Sequence, residues 1–385
     1  MKRLRALFAL GSLGAGGSER QTLHLLQHLD RKRFEPSLYL LRREGELLNE
    51  VPSDVRVHAF AGEDGASRFR LPGAVRRAQI DAFAAFLRKE RPDVICERML
   101  VTTLVAAPAA KLVGVPRVAT FAADPNFDLA DQAKRFRWLK KRILRSAYHD
   151  AAQLVAVSGG VAGLAADLYD LDEDRIRVIF NPVDLERIDR LAGESPRPFP
   201  DDGAFRVVTV GRLIPEKGID HLIRAVATVV QEKRRGELRL HIVGQGPEES
   251  RLRSLARELR VEDRIVFHGY SANPFPYLRH ADLFCLSSET EGMPNVLLEA
   301  IACRVPVLST DCVSGPREIL DGGRFGRLVP PRDSRALADA IEEALLDYPV
   351  WQAKVEPARR RLETDFSVVA ATRAYEELFL AAASP

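Results

Sequence analysis

Two glutamates in one short stretch of the chain have the residue type and spacing of a hydroxyl-binding pair. Glu291 and Glu299 stand eight residues apart in SETEGMPNVLLEA, which runs from Ser288 to Ala300. An ionised carboxylate accepts two hydrogen bonds, so Glu299 suits the paired hydroxyls of a ribose and Glu291 suits the hydroxyls of a sugar. Between them, Gly292 and a helix start with Pro294 at its first position favour a negative ligand. Taken alone, the pair is equally compatible with one acid in a first helical turn and one on the surface.

A second stretch carries two cations in a loop. GRLIPEKG, from Gly211 to Gly218, follows the apolar run FRVVTV and sets Arg212 and Lys217 five residues apart. Beyond the carboxyl end of a strand, the Arg fork and the Lys point charge could clamp a diphosphate. A solvated surface pair is the alternative. We expect no essential metal, because no Asp-x-Asp follows a strand in a suitable place and LDED at 171–174 is typical of a helix-to-strand corner.

The glycine-rich loop GSLGAGGSER, at 11–20, invites comparison with dinucleotide-binding proteins. The Gly-x-Gly-x-x-Gly fingerprint fails because Glu19 occupies the third glycine position, which argues against a nicotinamide enzyme. What remains is a Gly-Gly turn that could approach an anion at the start of a helix over 18–29, or a tight turn with no ligand. A further loop, HIVGQGP at 241–247, predicts only a tight strand-to-helix corner with Pro247 at the first helical position.

Short apolar runs alternate with helix-period segments along most of the chain, which predicts an α/β protein with parallel sheets covered on both faces. The segment 186–204 has three prolines and no apolar periodicity, so we interpret it as a linker. It separates two doubly wound domains, 1–190 and 204–365. Ligands bind beyond the carboxyl ends of such strands, which predicts a site in a cleft between the domains. Expected strands are 4–10, 36–41, 93–96, 116–121, 153–157, 205–210, 238–243, 264–268, 282–286, 305–309 and 326–329; expected helices include 18–29, 74–89, 218–234, 248–259 and 334–347.

The composition is that of a globular protein, with 385 residues, 46% hydrophobic and 29% charged. No apolar run approaches the ~20 residues of a membrane-spanning helix, and MKRLRALFAL at the start predicts a buried strand rather than a signal peptide. Four cysteines without Cys-x-x-Cys spacing indicate buried, reduced thiols in a cytoplasmic protein. Residues 1–190 carry 31 Lys+Arg against 25 Asp+Glu, and the remainder 26 against 29, so the first part is the more suited to an anionic partner.

A basic segment, QAKRFRWLKKRILRSA at 132–147, interleaves seven cations with apolar side chains. At helical spacing Phe136, Leu139 and Ile143 share one stripe, beside Trp138. Such a helix could lie on an anionic bilayer, at ~1 kcal/mol for each basic residue near the surface. The alternative is an ordinary amphipathic helix whose stripe packs on its own sheet. No nucleic-acid motif is present, so we expect no nucleic-acid partner.

Seven segments in order make the chain resemble the retaining glycosyltransferases of family 4, the group 1 glycosyl transferases. The resemblance covers essentially the whole chain. It implies the GT-B architecture, in which two Rossmann-like doubly wound domains face each other across a deep cleft. The segments are GGSER at 16–20, NPVD at 181–184, VGRLIPEKG at 210–218, VGQGP at 243–247, FHGYSANP at 267–274, ADLFCLSSETEGMPNVLLEA at 281–300 and SGPREIL at 314–320.

The resemblance also implies residue roles. Arg212 and Lys217 would stabilise the leaving diphosphate, while Glu291 would hold the transferred sugar and Glu299 the ribose. The segment 268–271 would line the base pocket through its backbone, and a final helix at 366–383 would pack on the first domain. The implied donor-binding residues are Gly16, Gly17, Gly211, Gly244, His268, Gly269, Tyr270, Gly292, Met293, Pro294, Asn295 and Glu299.

One position departs from the family pattern. Many members carry a histidine just after the strand at 116–121, where this chain has Ala122, and Asp124 or Asn126 could replace its contacts. The implied activity is retaining transfer of a hexose or N-acetylhexosamine from a nucleotide sugar, UDP- rather than GDP-linked. The acceptor would be a lipid-linked or oligosaccharide acceptor at the cytoplasmic membrane face. The alternatives are an epimerase or phosphorylase on the same fold, which Ala122 disfavours for the epimerase, and a non-catalytic membrane-bound binding protein.

Overall fold

The computed structural model describes residues 3–14, 16–60, 73–132, 136–194 and 196–384. They fall into two compact units, one within 1–182 and 368–385 and the other within 183–367. Each unit is built on one parallel sheet with helices packed against it, which confirms the expected α/β class.

The first unit has seven parallel strands in the order β3-β2-β1-β4-β5-β6-β7. The strands are β1 (Leu4–Leu10), β2 (Phe34–Leu40), β3 (Arg56–Ala59), β4 (Val94–Arg98), β5 (Arg117–Phe121), β6 (Gln153–Ala156) and β7 (Ile176–Val178). The helices are α1 (Gly17–His28), α2 (Ala74–Glu90), α3 (Leu100–Val113), α4 (Pro125–Gln132), α5 (Arg137–His149), α6 (Gly159–Tyr169) and the C-terminal α16 (Val368–Ala383).

The C-terminal helix α16 completes the core of this unit. It packs against α1, β4 and β5. The Phe379 ring meets Phe8 of β1 edge-on at 5.8 Å between centroids, and Phe34 of β2 at 6.2 Å. These rings are buried, and burial of large apolar side chains is the main stabilising term in such a core. A chain segment that is remote in sequence therefore closes one face of the first sheet.

The second unit has six parallel strands in the order β10-β9-β8-β11-β12-β13. The strands are β8 (Phe205–Val210), β9 (Leu238–Val243), β10 (Ile265–Gly269), β11 (Leu283–Leu286), β12 (Val307–Thr310) and β13 (Arg327–Val329). The helices are α7 (Leu185–Gly193), α8 (Ile219–Gln231), α9 (Glu249–Glu258), α10 (Phe275–Arg279), α11 (Asn295–Ala302), α12 (Pro316–Ile319), α13 (Ser334–Leu346), α14 (Tyr348–Gln352) and α15 (Val355–Asp365).

Part of the predicted linker is a helix, and the prediction of 186–204 as linker is wrong there. Helix α7 begins after Asp184, whose side chain accepts a hydrogen bond from the Arg187 amide at 2.9 Å, an N-cap that stabilises the first turn. Its few apolar residues, including the buried Ile188 and Ala192, face α10 and α11, so helix 185–193 belongs to the second unit. The charged residues that separate these apolar positions made the helical periodicity hard to recognise in the sequence.

Both sheets reverse their strand order at one place. In the first unit the reversal lies between β1 and β4, and in the second between β8 and β11. At such a point the loops leaving neighbouring strands diverge to opposite faces and open a crevice at the carboxyl edge. The loop after β8 contains the cation pair singled out from the sequence, and the loop after β11 together with the start of α11 contains the glutamate pair.

Candidate functional site

Lys217 and Glu291 form an ion pair at the switch point of the second sheet. Lys217 ends a short 3₁₀ turn in the loop after β8, and Glu291 lies in the loop after β11. The Lys217 Nζ lies 2.6 Å from Glu291 Oε1, with 24% of the lysine side chain and 11% of the glutamate side chain exposed. Ser288 Oγ lies 2.6 Å from the same oxygen. The sequence assigned these residues to separate tasks, whereas the structure brings them into direct contact.

The backbones of these two loops lie against each other. Ser287 Oγ donates to the Lys217 carbonyl at 2.8 Å, and the Glu289 amide donates to the Glu216 carbonyl at 2.8 Å. Gly218 has a φ of +56°, and a Cβ there would overlap the Ser287 carbonyl oxygen. Only glycine combines that left-handed conformation with so close an approach. The position of Lys217 is therefore fixed by the loop that carries Glu291.

A third loop, after β12, supports the turn between the two glutamates. Ser314 Oγ donates to the Glu291 carbonyl at 2.5 Å. Gly315 has a φ of +87°, and a Cβ there would lie 2.6 Å from Pro294 Cδ and 2.8 Å from the Gly292 carbonyl oxygen. The SGP motif at 314–316 thus holds the turn that precedes α11.

Helix α11 begins one residue later than predicted. Pro294, with ψ of 100°, is the N-cap rather than the first helical residue, because its backbone is still extended. Gly292, Met293 and Pro294 are buried, and Asn295 is half-buried. Glu299 is the fifth residue of α11 and is half-buried, about one turn beyond the helix start.

Arg212 differs from Lys217 in being open to solvent. It lies two residues beyond the end of β8, is exposed, and forms no ion pair with any residue that the structure describes. Its guanidinium therefore has no ionic partner among the described residues, and it lies at the carboxyl edge of the sheet that also carries Lys217. An exposed Arg fork on the same loop as a partly buried Lys can bind phosphate oxygens, the Arg through two parallel hydrogen bonds.

Glycines join the carboxyl ends of β8, β9 and β10. The Gly211 amide donates to the Val243 carbonyl at 3.0 Å, and the Gly244 amide donates to the Gly269 carbonyl at 2.7 Å. Gly244 has a φ of +145°, and a Cβ there would overlap the Gly211 carbonyl. Pro247 lies in the turn before α9, two residues ahead of its first residue, so its prediction as helix N1 is wrong. The absence of a side chain at Gly244 lets the backbones of the loops after β8 and β9 lie in direct contact.

His268 is held by side chains rather than open to solvent. Its Nε2 lies 2.9 Å from His241 Nδ1, and its ring packs against Tyr277 at 4.8 Å between centroids. Burial lowers the pKa of His268, and burial together with His268 and Arg206 lowers the pKa of His241 to about 4. Sequence reasoning missed His241, which alternates along β9 with residues of the main core. Gly269, with a φ of +72°, and the exposed Tyr270 follow directly.

In the first unit, Gly16 is the N-cap of α1 and Gly17 its first residue. Ala122 follows β5, and Asp124 Oδ1 accepts from the Asn126 amide at 2.8 Å at the start of α4. Asp124 therefore caps α4. Sequence reasoning missed Asp128 on α4, whose pKa rises to about 6 because of burial and the nearby Asp124 and Asp131.

From Phe136 onward the basic segment caps and forms most of α5, and its predicted stripe faces outward. Phe136 and Trp138 are 62% and 69% exposed, and Leu139 and Ile143 are also exposed. The helix packs on its own unit through a different face, which carries Leu144, Ala147 and Tyr148. Ala133, Lys134 and Arg135, which the prediction included, lie outside the described residues.

A residue of α2 extends this basic surface. Partial burial and the guanidinium of Arg76 lower the pKa of Lys140 on α5. Like charges from two elements are thus gathered on one face. Across the described ranges, none of the helices has both the length and the apolar character needed to cross a bilayer.

The buried cysteines and the acidic and histidine side chains offer neither a reactive thiol nor a metal site within the described ranges. All four cysteines are buried and free, and burial raises the pKa of Cys96, Cys303 and Cys312 to about 12, which keeps them as unreactive thiols. Among the residues described, no three His, Cys, Asp or Glu side chains gather as a metal site would require.

Comparisons with known proteins place this geometry in a family. The glycosyl transferases group 1 model matches residues 204–347, and the glycosyltransferase family 4 model matches residues 15–187. The chain is 30% identical over 275 residues to the lipopolysaccharide 1,6-galactosyltransferase of Escherichia coli, which is 69% of each chain.

It is 28% identical over 369 residues, 91% of this chain and 92% of the other, to a Campylobacter jejuni enzyme. That enzyme is N-acetylgalactosamine-N,N'-diacetylbacillosaminyl-diphospho-undecaprenol 4-alpha-N-acetylgalactosaminyltransferase. Among solved structures, Anabaena HepE in complex with UDP superposes with a TM-score of 0.79 at 20% identity, covering 98% of this chain and 99% of that one. The chain therefore belongs to glycosyltransferase family 4, and its fold is the GT-B architecture.

Proposed function

We propose that this protein transfers a hexose or N-acetylhexosamine, with retention of configuration, from a UDP-sugar to a lipid-linked saccharide in surface polysaccharide or glycolipid synthesis. The observation that carries the proposal is the Lys217–Glu291 pair at the switch point of the second sheet. The names of relatives support it, since one acts on a diphospho-undecaprenol-linked saccharide and another is a lipopolysaccharide galactosyltransferase. The UDP-bound state of HepE supports uridine as the base.

The cations and the helix start are suited to the leaving group. Breaking the bond between sugar C1 and the diphosphate builds negative charge on the nucleoside diphosphate. Fixed charges stabilise such a charge without reorganising during the reaction. Arg212 provides an exposed fork and Lys217 a partly buried ammonium, and the eight-residue α11 adds N-terminal backbone dipoles. In this proposal these groups take the place of a divalent cation.

The reaction is proposed to occur on one face of the sugar. The acceptor oxygen bonds to C1 as the C1–O bond to the diphosphate breaks, and the acceptor proton passes to the departing phosphate oxygen. Glu291 serves to hold sugar hydroxyls rather than to attack C1, since one of its oxygens is engaged by both Lys217 and Ser288. NMR of the product gives the anomeric configuration, and inversion would contradict this assignment.

The direct test is a panel of UDP- and GDP-sugars, first for thermal stabilisation and then for transfer to polyprenyl-diphosphate saccharides. A ligand that binds only the native state raises its stability, so the matching donor raises the melting temperature most. Conversion of the donor without acceptor would indicate an epimerase, and stabilisation without turnover a binding protein. If EDTA abolished the activity, the reaction would require a metal ion, and Arg212 and Lys217 would not act as its substitute.

Glu299 is proposed to bind the ribose, and a deoxynucleotide tests this separately. Wild-type protein is expected to bind UDP more tightly than 2′-deoxy-UDP, by roughly tenfold for a lost hydrogen bond to a charged group. Glu299→Ala is expected to bind both equally. The control is Glu258→Ala, an exposed acid at the end of α9, which should keep the wild-type preference. Retained discrimination in Glu299→Ala would show that another residue contacts the ribose.

The exposed basic surface of α5 is proposed to contact the anionic membrane that carries the acceptor. Its support is the outward stripe of Phe136, Leu139 and Ile143 beside Trp138, together with the cations of α5 and Arg76. Apolar side chains that reach the acyl boundary, flanked by cations that meet lipid headgroups, are the pattern of interfacial helices. Such contact would keep the protein on the inner membrane face.

A further inference from the structure

Buried hydroxyl side chains surround the Lys217–Glu291 pair. Ser287, Ser288, Thr310 and Ser314 are almost fully buried, and buried hydroxyls require hydrogen-bond partners. All four find partners in or beside the two site loops. Ser287 bonds to the Lys217 carbonyl, Ser288 to the Glu291 carboxylate, Ser314 to the Glu291 carbonyl and Thr310 to the Ser288 carbonyl.

Among these, Ser288 alone contacts the carboxylate of Glu291. Its Oγ lies 2.6 Å from Oε1, the same oxygen that Lys217 Nζ approaches at 2.6 Å. No described residue is hydrogen-bonded to the other oxygen, Oε2. One oxygen of Glu291 is thus doubly engaged by the protein, and the second is left to accept from a ligand.

Ser288 is itself held in place. It has no exposed surface, and the Thr310 hydroxyl on the neighbouring strand β12 donates to its carbonyl oxygen. The backbone of Ser288 is therefore fixed in position, and its hydroxyl hydrogen-bonds to the Glu291 carboxylate. A compact O–H donor fits between strand and turn, where a longer side chain would displace the glutamate.

We propose that Ser288 is a positioning residue for sugar transfer. It holds Glu291 in the rotamer that commits Oε1 to Lys217 and presents Oε2 to a hydroxyl of the donor sugar. This inference rests on the proposed function. It links recognition of the sugar to the cation that meets the diphosphate, because both groups are fixed through one carboxylate.

The test compares Ser288→Ala with Ser309→Ala. Ser309 is equally buried, but its hydroxyl bonds to the Thr310 carbonyl at 2.9 Å and reaches neither Lys217 nor Glu291. Loss of a hydrogen bond to a charged group predicts a fall in kcat of roughly ten- to a hundredfold for Ser288→Ala with the preferred UDP-sugar. Affinity for UDP alone, which lacks the sugar, should stay within about twofold of wild type. Ser309→Ala should change neither.

A double-mutant cycle separates positioning from general stability. In a Glu291→Ala background the serine has no side chain to orient, so adding Ser288→Ala should lower kcat little further. Ser288→Cys, whose side chain is only slightly larger but offers a weak donor, is expected to lose activity in the same direction while the protein still folds. Equal losses from Ser288→Ala in both backgrounds, or an unchanged kcat, would overturn the inference. Absence of transfer by wild-type protein would instead overturn the proposed function.

Discussion

Lys217 Nζ and Glu291 Oε1 lie 2.6 Å apart although the residues are separated by 74 positions in the sequence. The pair bridges the loops that leave β8 and β11, the two strands between which the order of the second sheet reverses. A cation and an anion at this point can meet the two parts of one ligand, a diphosphate and a sugar. Their mutual contact also keeps each charge paired when the site is empty, which reduces the cost of holding both partly buried.

Removing the cation tests this pairing. Lys217→Met is expected to lower kcat/KM by roughly a hundred- to a thousandfold, because a fixed charge on the leaving group is lost and Glu291 loses its counter-ion. Steady-state kinetics and a thermal melt measure the two effects. Lys233→Met is the matched control, since Lys233 also forms ion pairs, with Asp339 and Glu342, but just beyond the C-terminal end of α8. A comparable loss of activity in both variants would show that the effect is not specific to the site.

Much of the fold could be predicted because burial leaves a direct mark on the sequence. Strands β8 and β9 were predicted at their observed bounds, since most residues of each strand are apolar and buried and turn residues flank both strands. Strands β3 and β7 were not predicted. They lie at the sheet edges, have three or four residues and are largely half-buried or exposed, so alternation over so short a length gives little signal.

The site was predicted as motifs but not as contacts. Spacing within one loop indicated that Arg212 and Lys217 act together and that Glu291 and Glu299 flank a turn. It gave no means to pair Lys217 with Glu291, because tertiary contacts depend on strand order. The support from Ser288 was likewise missed, since a serine in a polar loop carries no periodic signal and its importance lies in burial.

Gly244 should tolerate no side chain. Its φ of +145° and the overlap that a Cβ would make with the Gly211 carbonyl predict that Gly244→Ala lowers the free energy of unfolding by about 2–4 kcal/mol. Urea unfolding measures this change. Gly236→Ala is the control, because a Cβ there meets no atom within 4 Å and φ is not positive. Equal stability of the two variants would mean that the loops after β8 and β9 separate at little cost.

The buried His241 predicts a loss of stability in acid. The pKa of His241 falls from an ordinary 6.5 to about 4 in the folded protein, first through burial and then through His268 and Arg206. Between these pH values His241 is protonated in the unfolded chain but neutral in the folded chain. The free energy of unfolding therefore falls as pH drops from about 6.5 to about 4. The loss is up to about 3 kcal/mol.

The measurement is urea unfolding at several pH values for wild type and His241→Gln. Other groups also titrate in this range, so the informative quantity is the difference between the two slopes. Wild type should lose stability more steeply below pH 6.5, because glutamine takes up no proton. Parallel slopes would show that His241 is protonated as readily in the folded as in the unfolded protein.

The surface of α5 makes the last prediction. Lys140→Glu with Lys141→Glu is expected to weaken binding to phosphatidylcholine vesicles containing about 30% phosphatidylglycerol by at least about tenfold, at ~1 kcal/mol per lost cation. Trp138→Ser should weaken it through lost apolar contact, since that ring is exposed.

The control is Arg88→Glu with Lys89→Glu in the last turn of α2, the same charge change at the opposite end of the helix from Arg76. Vesicle co-sedimentation at two salt concentrations measures the affinity, and UDP-induced thermal stabilisation should be unchanged in every variant. If both double variants weaken binding equally, overall charge rather than the α5 surface governs attachment.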